Sequence, residues 1–231
     1  MKILLVGYGR MGQLVGQLAG QYDCEVAGIV DPLSPSHSGD IDDARWKGAA
    51  DVAIDFSLPD AVAVNLPVLA RLGLNVVVGT TGWASQEPAL RAAAEQAGIG
   101  VVAAPNFSAG VVMFEAIVAR AAALASSQAD FGAWLHEAHH IMKKDAPSGT
   151  ALLLKRAMEE AGYSRPIDVA STRAGHMPGT HTIGFDGPAE SITLSHTARD
   201  RSVFARGALQ AARWVRGRRG WFTMHDVLGI A

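Results

Sequence analysis

The chain begins with Ile3-Leu4-Leu5-Val6 and continues directly into Gly7-Tyr8-Gly9-Arg10-Met11-Gly12. The first stretch is short and wholly apolar, which is typical of a parallel strand buried on both faces. The second has the G-x-G-x-x-G spacing that joins such a strand to a helix. Its first glycine permits a tight turn, its second lets a ligand approach the backbone, and its third allows helix and strand to pack closely. The segment therefore predicts the start of a doubly wound α/β sheet.

The same alternation of strand and helix continues through the first hundred residues. Apolar bursts rich in β-branched residues predict five parallel strands, at Ile3–Val6, Val26–Val30, Val52–Phe56, Val76–Val78 and Val101–Ala103. Helical stretches lie between them, among them Met11–Ala19 and Pro88–Ala97. This order predicts a Rossmann-like, doubly wound parallel sheet.

The pattern changes near Pro105, and the second half predicts a different architecture. The predicted elements are a long helix at about Val111–Ala125, a strand at Phe131–Glu137, a polar loop at Ala138–Pro147, a helix from Ser148 to about Ala161, strands at Ile167–Thr172, His181–Phe185 and Ser191–His196, and a helix at Val203–Val215. We expect a second, α+β domain with an open mixed sheet and helices on one face.

Length and composition restrict the class of protein. A chain of 231 residues with 49% hydrophobic residues suits a Rossmann unit and a compact second domain. Lys and Arg total 20 against 22 Asp and Glu, and the net charge of −2 argues against a nucleic-acid or membrane-surface binder. The single cysteine, Cys24, fits a reducing compartment. No apolar run is expected to reach membrane-spanning length, so the sequence predicts a cytoplasmic protein.

The glycine-rich turn predicts a dinucleotide site formed by Gly7, Tyr8, Gly9, Arg10, Met11 and Gly12. Free N–H groups at the helix start would hold the pyrophosphate. Asp31 ends the second predicted strand, 19 residues after Gly12, where its carboxylate could accept hydrogen bonds from ribose hydroxyls. An ordinary glycine-rich turn with a surface aspartate is the alternative. The joint pattern favours the dinucleotide.

Asp31 also bears on the choice of cofactor. Its carboxylate would repel a 2′-phosphate, and the next residue is Pro32 rather than a basic residue. We therefore expect NADH to be favoured. Ser34, Ser36 and His37 could still donate to a phosphate, so the use of NADPH stays open.

Two further loops follow predicted strands at their carboxyl ends, where ligands bind in open α/β sheets. They contribute the remaining candidate cofactor residues, Gly79, Thr80 and Thr81 in one and Ala104, Pro105, Asn106 and Phe107 in the other. Small residues and hydroxyl groups there would let a nicotinamide and its ribose approach the backbone. Plain loop chemistry explains either loop equally well.

The densest polar segment of the chain is residues 137–151, with two adjacent histidines and two lysines before a predicted helix start. Ser148 is a natural N-cap, and the free amides of Gly149 and Thr150 would attract an anion. Lys143 could add a full positive charge, which would suit a dicarboxylate substrate. A capped helix beside a solvated loop is an equally simple interpretation. Metal binding is not expected, because no thiolate and no H-E-x-x-H spacing accompanies the histidines.

Residues 137–151 match E-x-H-H-x-x-K-x-D-x-P-S-G-T-A throughout, and the chain thereby resembles the dihydrodipicolinate reductases, also called 4-hydroxy-tetrahydrodipicolinate reductases. The resemblance extends to the three predicted cofactor loops and to a C-terminal stretch. That stretch comprises Gly179, Thr180, His181, Thr182 and Ile183, followed by His196, Arg201, Phe204, Ala205 and Gly207. It therefore covers nearly the whole chain.

The resemblance implies a role for each matching residue. His139 would be the family's catalytic histidine and Lys143 its proton donor, while His140, Gly149 and Thr150 would hold substrate carboxylates. Residues 1–105 with 206–231 would form the dinucleotide-binding domain, and residues 106–205 the substrate-binding and oligomerisation domain of a homotetramer. The implied reaction is NAD(P)H-dependent reduction of a cyclic dicarboxylate to tetrahydrodipicolinate, in lysine and diaminopimelate biosynthesis.

Two other functions remain open from the residues alone. One is a different two-domain dehydrogenase, acting on a small amino or oxo acid. The other is a non-catalytic dinucleotide sensor, which would need the fold and the cofactor but no converging histidine and lysine. Cofactor binding without turnover would favour the sensor.

Overall fold

The computed structural model describes residues 1–34, 36–37 and 40–230, so the loop that contains Ser34, Ser36 and His37 is described only in part. The chain divides into two compact units, residues 1–109 with 202–231 and residues 110–201. The sequence-based boundaries, after residues 105 and 205, each lie four residues from these divisions, and the second falls inside the helix Ser202–Val215. The binding roles given to the two domains stay predictions.

The first unit contains a six-stranded sheet flanked by helices. Its elements are β1 Lys2–Val6, α1 Arg10–Leu18, β2 Glu25–Val30, β3 Val52–Asp55, α2 Pro59–Arg71, β4 Asn75–Val78, α3 Glu87–Ala97, β5 Gly100–Ala103, α6 Ser202–Val215, β10 Gly220–Phe222 and α7 Met224–Leu228. The strands are all parallel and lie in the order β10-β5-β4-β3-β1-β2. The prediction of a Rossmann-like sheet is confirmed.

The strand order places the glycine-rich turn at a switch point of the sheet. β1 lies between β2 and β3, and the chain moves outward on opposite sides of this strand. In open α/β sheets, ligands bind beyond the carboxyl ends of the strands at such a reversal. The turn after Val6 therefore lies where a ligand site is expected. Strands β3, β4 and β5 are wholly buried, which explains why their sequences do not alternate between polar and apolar residues.

The sequence pattern did not predict the last strand of this sheet. β10 has three residues, which is too short for a periodic signal, and it pairs with β5 at the edge of the sheet. The Asn75 side chain donates to the carbonyl groups of Val215 and Arg218. These long-range bonds fix the turn after α6, and that turn leads the chain into β10.

The second unit contains a four-stranded mixed sheet. Its elements are α4 Ala109–Ser126, whose first residue belongs to the first unit, β6 Gly132–His139, α5 Gly149–Glu160, β7 Ile167–Arg173, β8 Gly179–Asp186 and β9 Ser191–Ala198. The order is β7-β6-β8-β9, with β6 and β7 parallel and the other pairs antiparallel. The prediction of an open mixed sheet is confirmed.

The core of the second unit explains which strand residues are buried. It joins apolar residues of α4 and α5 to one face of the sheet, among them Phe114, Val118, Leu154, Met158, Leu135, Ile183 and Phe185. The predicted end of β6 was wrong, because the strand continues to His139 instead of ending at Glu137. Parallel pairing with β7 continues to His139, so the ladder extends the strand into the polar segment. His139 is consequently fixed on a strand and not on a loop.

Among the described residues, one helix is long and apolar enough to match a membrane span. This helix is α4, with 18 residues and a mean hydropathy of 1.6. The expectation that no run reaches such a length is therefore wrong. In the structure Phe114, Val118 and Ala122 of α4 pack into the core of the second unit. An apolar core helix meets the same length and composition criteria as a span.

Candidate active site

The three glycines of the β1–α1 turn have three different environments. Gly7 has φ of +84°, and a Cβ there would lie 2.6 Å from the Phe56 carbonyl oxygen. A Cβ at Gly12 would lie 2.1 Å from the Gly7 carbonyl oxygen, whereas a Cβ at Gly9 would have no neighbour within 4 Å. The first and third positions therefore require glycine for the fold itself. The space at Gly9 fits the close approach of a pyrophosphate to the backbone.

Asp31 connects the end of β2 to this turn. Its carboxylate accepts hydrogen bonds from the Tyr8 amide at 2.7 Å and from the Leu33 amide at 2.8 Å. The sequence predicted a ribose acceptor and did not predict this backbone role. An ionised carboxylate has about four acceptor positions, so two bonds leave capacity for ribose hydroxyls. The centroids of the Tyr8 and His37 rings lie 4.7 Å apart.

Phe56, which sequence reasoning missed, brings the predicted cofactor loops together. A Cβ at Gly79 would lie 2.1 Å from the Phe56 ring, and the Phe107 ring contacts Phe56 edge-on at 6.4 Å between centroids. The Phe56 carbonyl also lies against Gly7. The turn and both loops therefore meet at the carboxyl edge of the first sheet. A phenylalanine at a strand end carries no sequence signal for this role.

The buried carboxylate of Asp55 fixes the loop that contains Thr80 by hydrogen bonds. It accepts hydrogen bonds from the Ser57 amide at 2.8 Å, from Asn65 at 3.0 Å and from the Thr80 hydroxyl at 3.3 Å. Burial raises the pKa of Asp55, and these hydrogen bonds oppose the rise. The Gly79 amide also donates to the Asp55 carbonyl at 2.8 Å. This loop is therefore fixed before any ligand binds.

The predicted cofactor residues differ in what they can offer a ligand. Gly9, Arg10, Thr81 and Pro105 are exposed, Gly7, Tyr8, Met11, Asp31, Gly79, Ala104 and Asn106 are partly exposed, and Gly12, Thr80 and Phe107 are buried. Phe107 packs in the core, and its carbonyl lies so close to α6 that a Cβ at Gly207 would be 1.6 Å from it. Phe107 therefore shapes its loop by packing, and only its backbone can reach a ligand.

The polar site of the second unit is built around Glu137, which is wholly buried on β6. Arg173 on β7 binds both carboxylate oxygens, at 2.6 and 3.0 Å. His139 Nδ1 also bonds the carboxylate, and the Ser148 amide donates to it at 3.3 Å. Burial raises the pKa of Glu137, but hydrogen bonds from Arg173, Ser171 and His139 outweigh this effect and lower the pKa to about 2. Glu137 is therefore ionised at neutral pH.

His139 is a neutral imidazole in this environment. Burial lowers its pKa, the Glu137 carboxylate raises it, and the charges of Lys143 and Arg173 lower it again. The net shift is downward, so the ring is neutral at pH 7. Lys143 lies close enough to act on this ring, as the proposed pairing of the two residues requires.

The start of α5 is held by a second histidine. Ser148 caps the helix by accepting the Ala151 amide at 3.2 Å, and its hydroxyl also bonds His181 Nε2 at 3.0 Å. His181 is buried, and burial followed by the charge of His139 lowers its pKa to about 4. The His181 and His139 rings contact edge-on at 5.2 Å. The predicted cap is confirmed, and the His181 contact was not foreseen.

A carboxylate of the chain itself, Asp145, lies at the predicted anion site. The Lys143 ammonium pairs with Asp145 at 2.9 and 3.0 Å. The Lys143 hydrogen bond is the largest cause that lowers the pKa of Asp145, and the Gly149 amide contributes to the same shift. Gly149 is exposed, and a Cβ there would meet no atom within 4 Å. Lys143 therefore pairs with a carboxylate of the chain, and the Gly149 amide is near enough to affect the same group. The binding of a substrate carboxylate at this place stays a prediction.

His140 and Thr150 lie beside this group and are partly exposed. The Lys143 amide donates to the His140 carbonyl at 3.0 Å, which closes a turn between the histidine and the lysine. This turn brings both side chains to one short loop ahead of α5. Their contact with substrate stays a prediction.

Three potential metal ligands also lie together, since atoms of Glu137, His139 and His181 are within 4.8 Å of one another. The Glu137 oxygens already receive the Arg173 guanidinium, His139 and the Ser148 amide. The guanidinium supplies the positive charge that a metal ion would bring. The geometry is that of a hydrogen-bonded network, and the absence of a metal stays a prediction.

The first unit has a glycine-rich turn at the switch point of its sheet, and the second unit has His139 and Lys143 ahead of a helix start. The chain is a two-domain NAD(P)H-dependent oxidoreductase. The family models for the dihydrodipicolinate reductase N-terminus and C-terminus match residues 1–107 and 110–228. The chain belongs to the dihydrodipicolinate reductase family.

Individual relatives agree with this assignment. A 4-hydroxy-tetrahydrodipicolinate reductase of Stenotrophomonas maltophilia is 41% identical, with 99% of this chain and 98% of the relative covered. One of Caulobacter vibrioides is 39% identical, with 100% and 98% covered. The dipicolinate-bound dihydrodipicolinate reductase of Paenisporosarcina sp. TG-14 has a TM-score of 0.85 at 22% identity, with 98% of each chain covered, and this likeness shows the shared fold.

Proposed function

We propose that this chain reduces 4-hydroxy-tetrahydrodipicolinate to tetrahydrodipicolinate with NAD(P)H, in lysine and diaminopimelate biosynthesis. The names of the relatives support this reaction. The observation that carries it is that Lys143 pairs with a carboxylate whose pKa the Gly149 amide also lowers, with His139 close to the same lysine. A cyclic dicarboxylate offers the same functional group that Asp145 presents to them.

The substrate would bind by its two carboxylates. One would replace Asp145 at the Lys143 ammonium and the Gly149 and Thr150 amides, where the α5 dipole favours an anion. His140 would contact the second. Holding both ends of a rigid ring fixes its orientation toward a hydride donor.

The chemical step is a hydride addition followed by a proton transfer. A bound nicotinamide supplies the hydride. The Lys143 ammonium would neutralise the developing negative charge by giving a proton. His139, neutral and hydrogen-bonded at Nδ1, would stabilise the same charge or relay the proton through Nε2. With the hydroxylated substrate, loss of water comes first and forms the conjugated imine to which the hydride adds.

Within this proposal, NADH is the favoured cofactor and NADPH a possible one. The Asp31 carboxylate lies beside the turn and keeps free acceptor positions, which suits ribose hydroxyls and opposes a phosphate. Comparing kcat/KM for the two cofactors tests this preference. A strong preference for NADPH would contradict the role given to Asp31.

We further propose that the protein acts in the cytoplasm as a homotetramer, which the resemblance implies. One face of the second sheet carries no part of that unit's core, and Thr193, Ser195 and Thr197 on that face of β9 are exposed. This surface is available for a second copy of the chain. Light scattering of the purified protein tests the assembly, and a monomer at micromolar concentration would contradict it.

A coupled assay tests the reaction. The condensation product of pyruvate and aspartate semialdehyde is supplied together with NADH, and oxidation of the cofactor is followed by its absorbance. We expect oxidation only when that product is present. Cofactor binding without oxidation would favour a sensor, and turnover of small amino or oxo acids instead would favour a different dehydrogenase.

A further inference from the structure

Glu137 connects three parts of the proposed active site although it is itself inaccessible. Its carboxylate bonds the His139 ring, the Ser148 amide at the start of α5 and the guanidinium of Arg173. Arg173 in turn donates to the Asp145 carbonyl at 2.6 Å, in the loop that carries Lys143. One buried ion pair therefore contacts the histidine, the helix start and the lysine loop.

We propose that Glu137 and Arg173 are positioning residues of the active site, in which Glu137 fixes the orientation and tautomer of His139 while Arg173 holds Glu137 and the Lys143 loop. This inference rests on the proposed function for the part played by His139 and Lys143. The geometry of the pair belongs wholly to the second unit of the chain.

The tautomer follows from the chemistry of the bond. An ionised carboxylate only accepts hydrogen bonds, so His139 Nδ1 must carry the proton. The neutral ring then has its lone pair on Nε2. A Cβ at Gly179 would lie 3.0 Å from His139 Nε2, so this glycine makes room for the ring. A ring turned by 180° would exchange Nδ1 with Cδ2 and Nε2 with Cε1, so that carbon atoms would face both the carboxylate and the substrate.

Arg173 is placed by the strand register. In the parallel β6–β7 ladder, His139 lies opposite Arg173 and Glu137 lies opposite Ser171. The arginine therefore reaches back along the strands to bind the carboxylate with two nitrogen atoms. A buried carboxylate without a partner is strongly unfavourable, and a fork-shaped guanidinium satisfies both of its oxygens. The remaining bond to the Asp145 carbonyl connects this pair to the loop.

The two partners act on His139 with opposite sign. The charged or titratable groups that face the ring are Glu137 on its own strand, Arg173 on β7, His181 on β8 and Lys143 on the loop. Loss of the Glu137 charge removes the only anion among them and lowers the pKa of His139. Loss of the Arg173 charge removes a cation and raises it. A purely structural role would produce no such opposite pair of shifts.

The experiment follows the His139 ring in the full-length protein by NMR with ¹⁵N-labelled histidine. In wild type we expect the Nδ1–H tautomer. Glu137→Gln should reduce the Nδ1–H fraction and lower the pKa of His139, and Arg173→Met should raise that pKa. Glu159→Gln is the matched control, because it removes a carboxylate from the exposed Lys155–Glu159 pair of the same unit. It should leave the His139 signals unchanged.

Turnover supplies the second measurement. Glu137→Gln should lower kcat by about 10²-fold, the cost of a misplaced catalytic group, with a smaller change in KM. Arg173→Lys keeps the charge without the fork, so it should restore the wild-type pKa of His139 and part of kcat. If wild type does not reduce the substrate, the proposed function fails, whereas the NMR result still decides the positioning role.

The double variant Glu137→Gln/Arg173→Met covers the case in which a single variant fails to fold. It leaves no unpaired buried charge, so the unit should fold again. We expect kcat to stay low and the Nδ1–H preference of His139 to stay lost. Wild-type kcat in the double variant, or an unchanged His139 tautomer and pKa in the variants, would overturn the proposal.

Discussion

The carboxylate oxygens of Asp145 lie 2.9 and 3.0 Å from the Lys143 ammonium, and the Gly149 amide is near enough to help lower the pKa of the same carboxyl group. Asp145 therefore pairs with the lysine that we assign to a substrate carboxylate and lies near the Gly149 amide. A dicarboxylate that binds there has to displace Asp145. The pair is partly exposed, so its strength is that of a surface ion pair and displacement costs little.

Asp145→Asn removes this internal competitor. An exposed pair contributes at most about 1 kcal/mol, so we expect KM for the substrate to fall by up to about fivefold. Steady-state kinetics at saturating cofactor measure the change. A clear increase in KM would show instead that Asp145 orients Lys143 for binding.

Lys143→Ala should lower kcat by ~10²–10⁴-fold, because it removes the proposed general acid. Lys144→Ala is the matched control, since Lys144 is exposed and neighbours Lys143 in the chain. We expect near-normal kcat in the control. Equal turnover in the two variants would remove Lys143 from the mechanism.

His140→Ala should act mainly on substrate binding. Loss of a hydrogen bond to a charged group costs about 1.5–3 kcal/mol, which corresponds to a roughly 10- to 100-fold rise in KM. We expect kcat to change much less. A selective collapse of kcat would mean that the roles of His139 and His140 are exchanged.

Gly9→Ala and Gly12→Ala separate ligand binding from folding within one turn. A methyl group at Gly9 meets no protein atom within 4 Å, so Tm should not change, while NADH binding should weaken by about tenfold or more because the pyrophosphate loses its approach. A methyl group at Gly12 would clash with the Gly7 carbonyl and should cost about 1–3 kcal/mol of stability. Equal Tm in both variants would contradict the prediction.

His181 should make stability depend on pH. Burial followed by the charge of His139 lowers its pKa from 6.5 to about 4, so the unfolded chain takes up a proton before the folded chain does. The contribution is fully present above pH 6.5 and is lost as the pH falls to about 4, with a total of about 3 kcal/mol. Glu137 contributes to stability in the same way, and its contribution is lost at lower pH, between about pH 4.5 and pH 2. Urea unfolding of His181→Gln between pH 7 and pH 4 should show a flatter dependence than wild type.

The sequence by itself determined the class of fold and the identity of the chemical groups. Buried parallel strands such as Val76–Val78 have no polar alternation, and the Gly7–Gly12 spacing has one main structural use, so both are legible in the chain. The position of Ser148 before a predicted helix predicted the cap, the match of residues 137–151 to a family pattern predicted the family, and both are confirmed.

Only the tertiary structure decided how those groups are held. The contact between Phe56 and Gly79, the bond between His181 and Ser148 and the pairing of Glu137 with Arg173 join residues 23, 33 and 36 positions apart. Such contacts depend on strand order and register, which follow from the packing of the whole unit and not from any local pattern. Local propensity fixes which residues stand at a strand end or helix start, and the sheet then decides which of them meet.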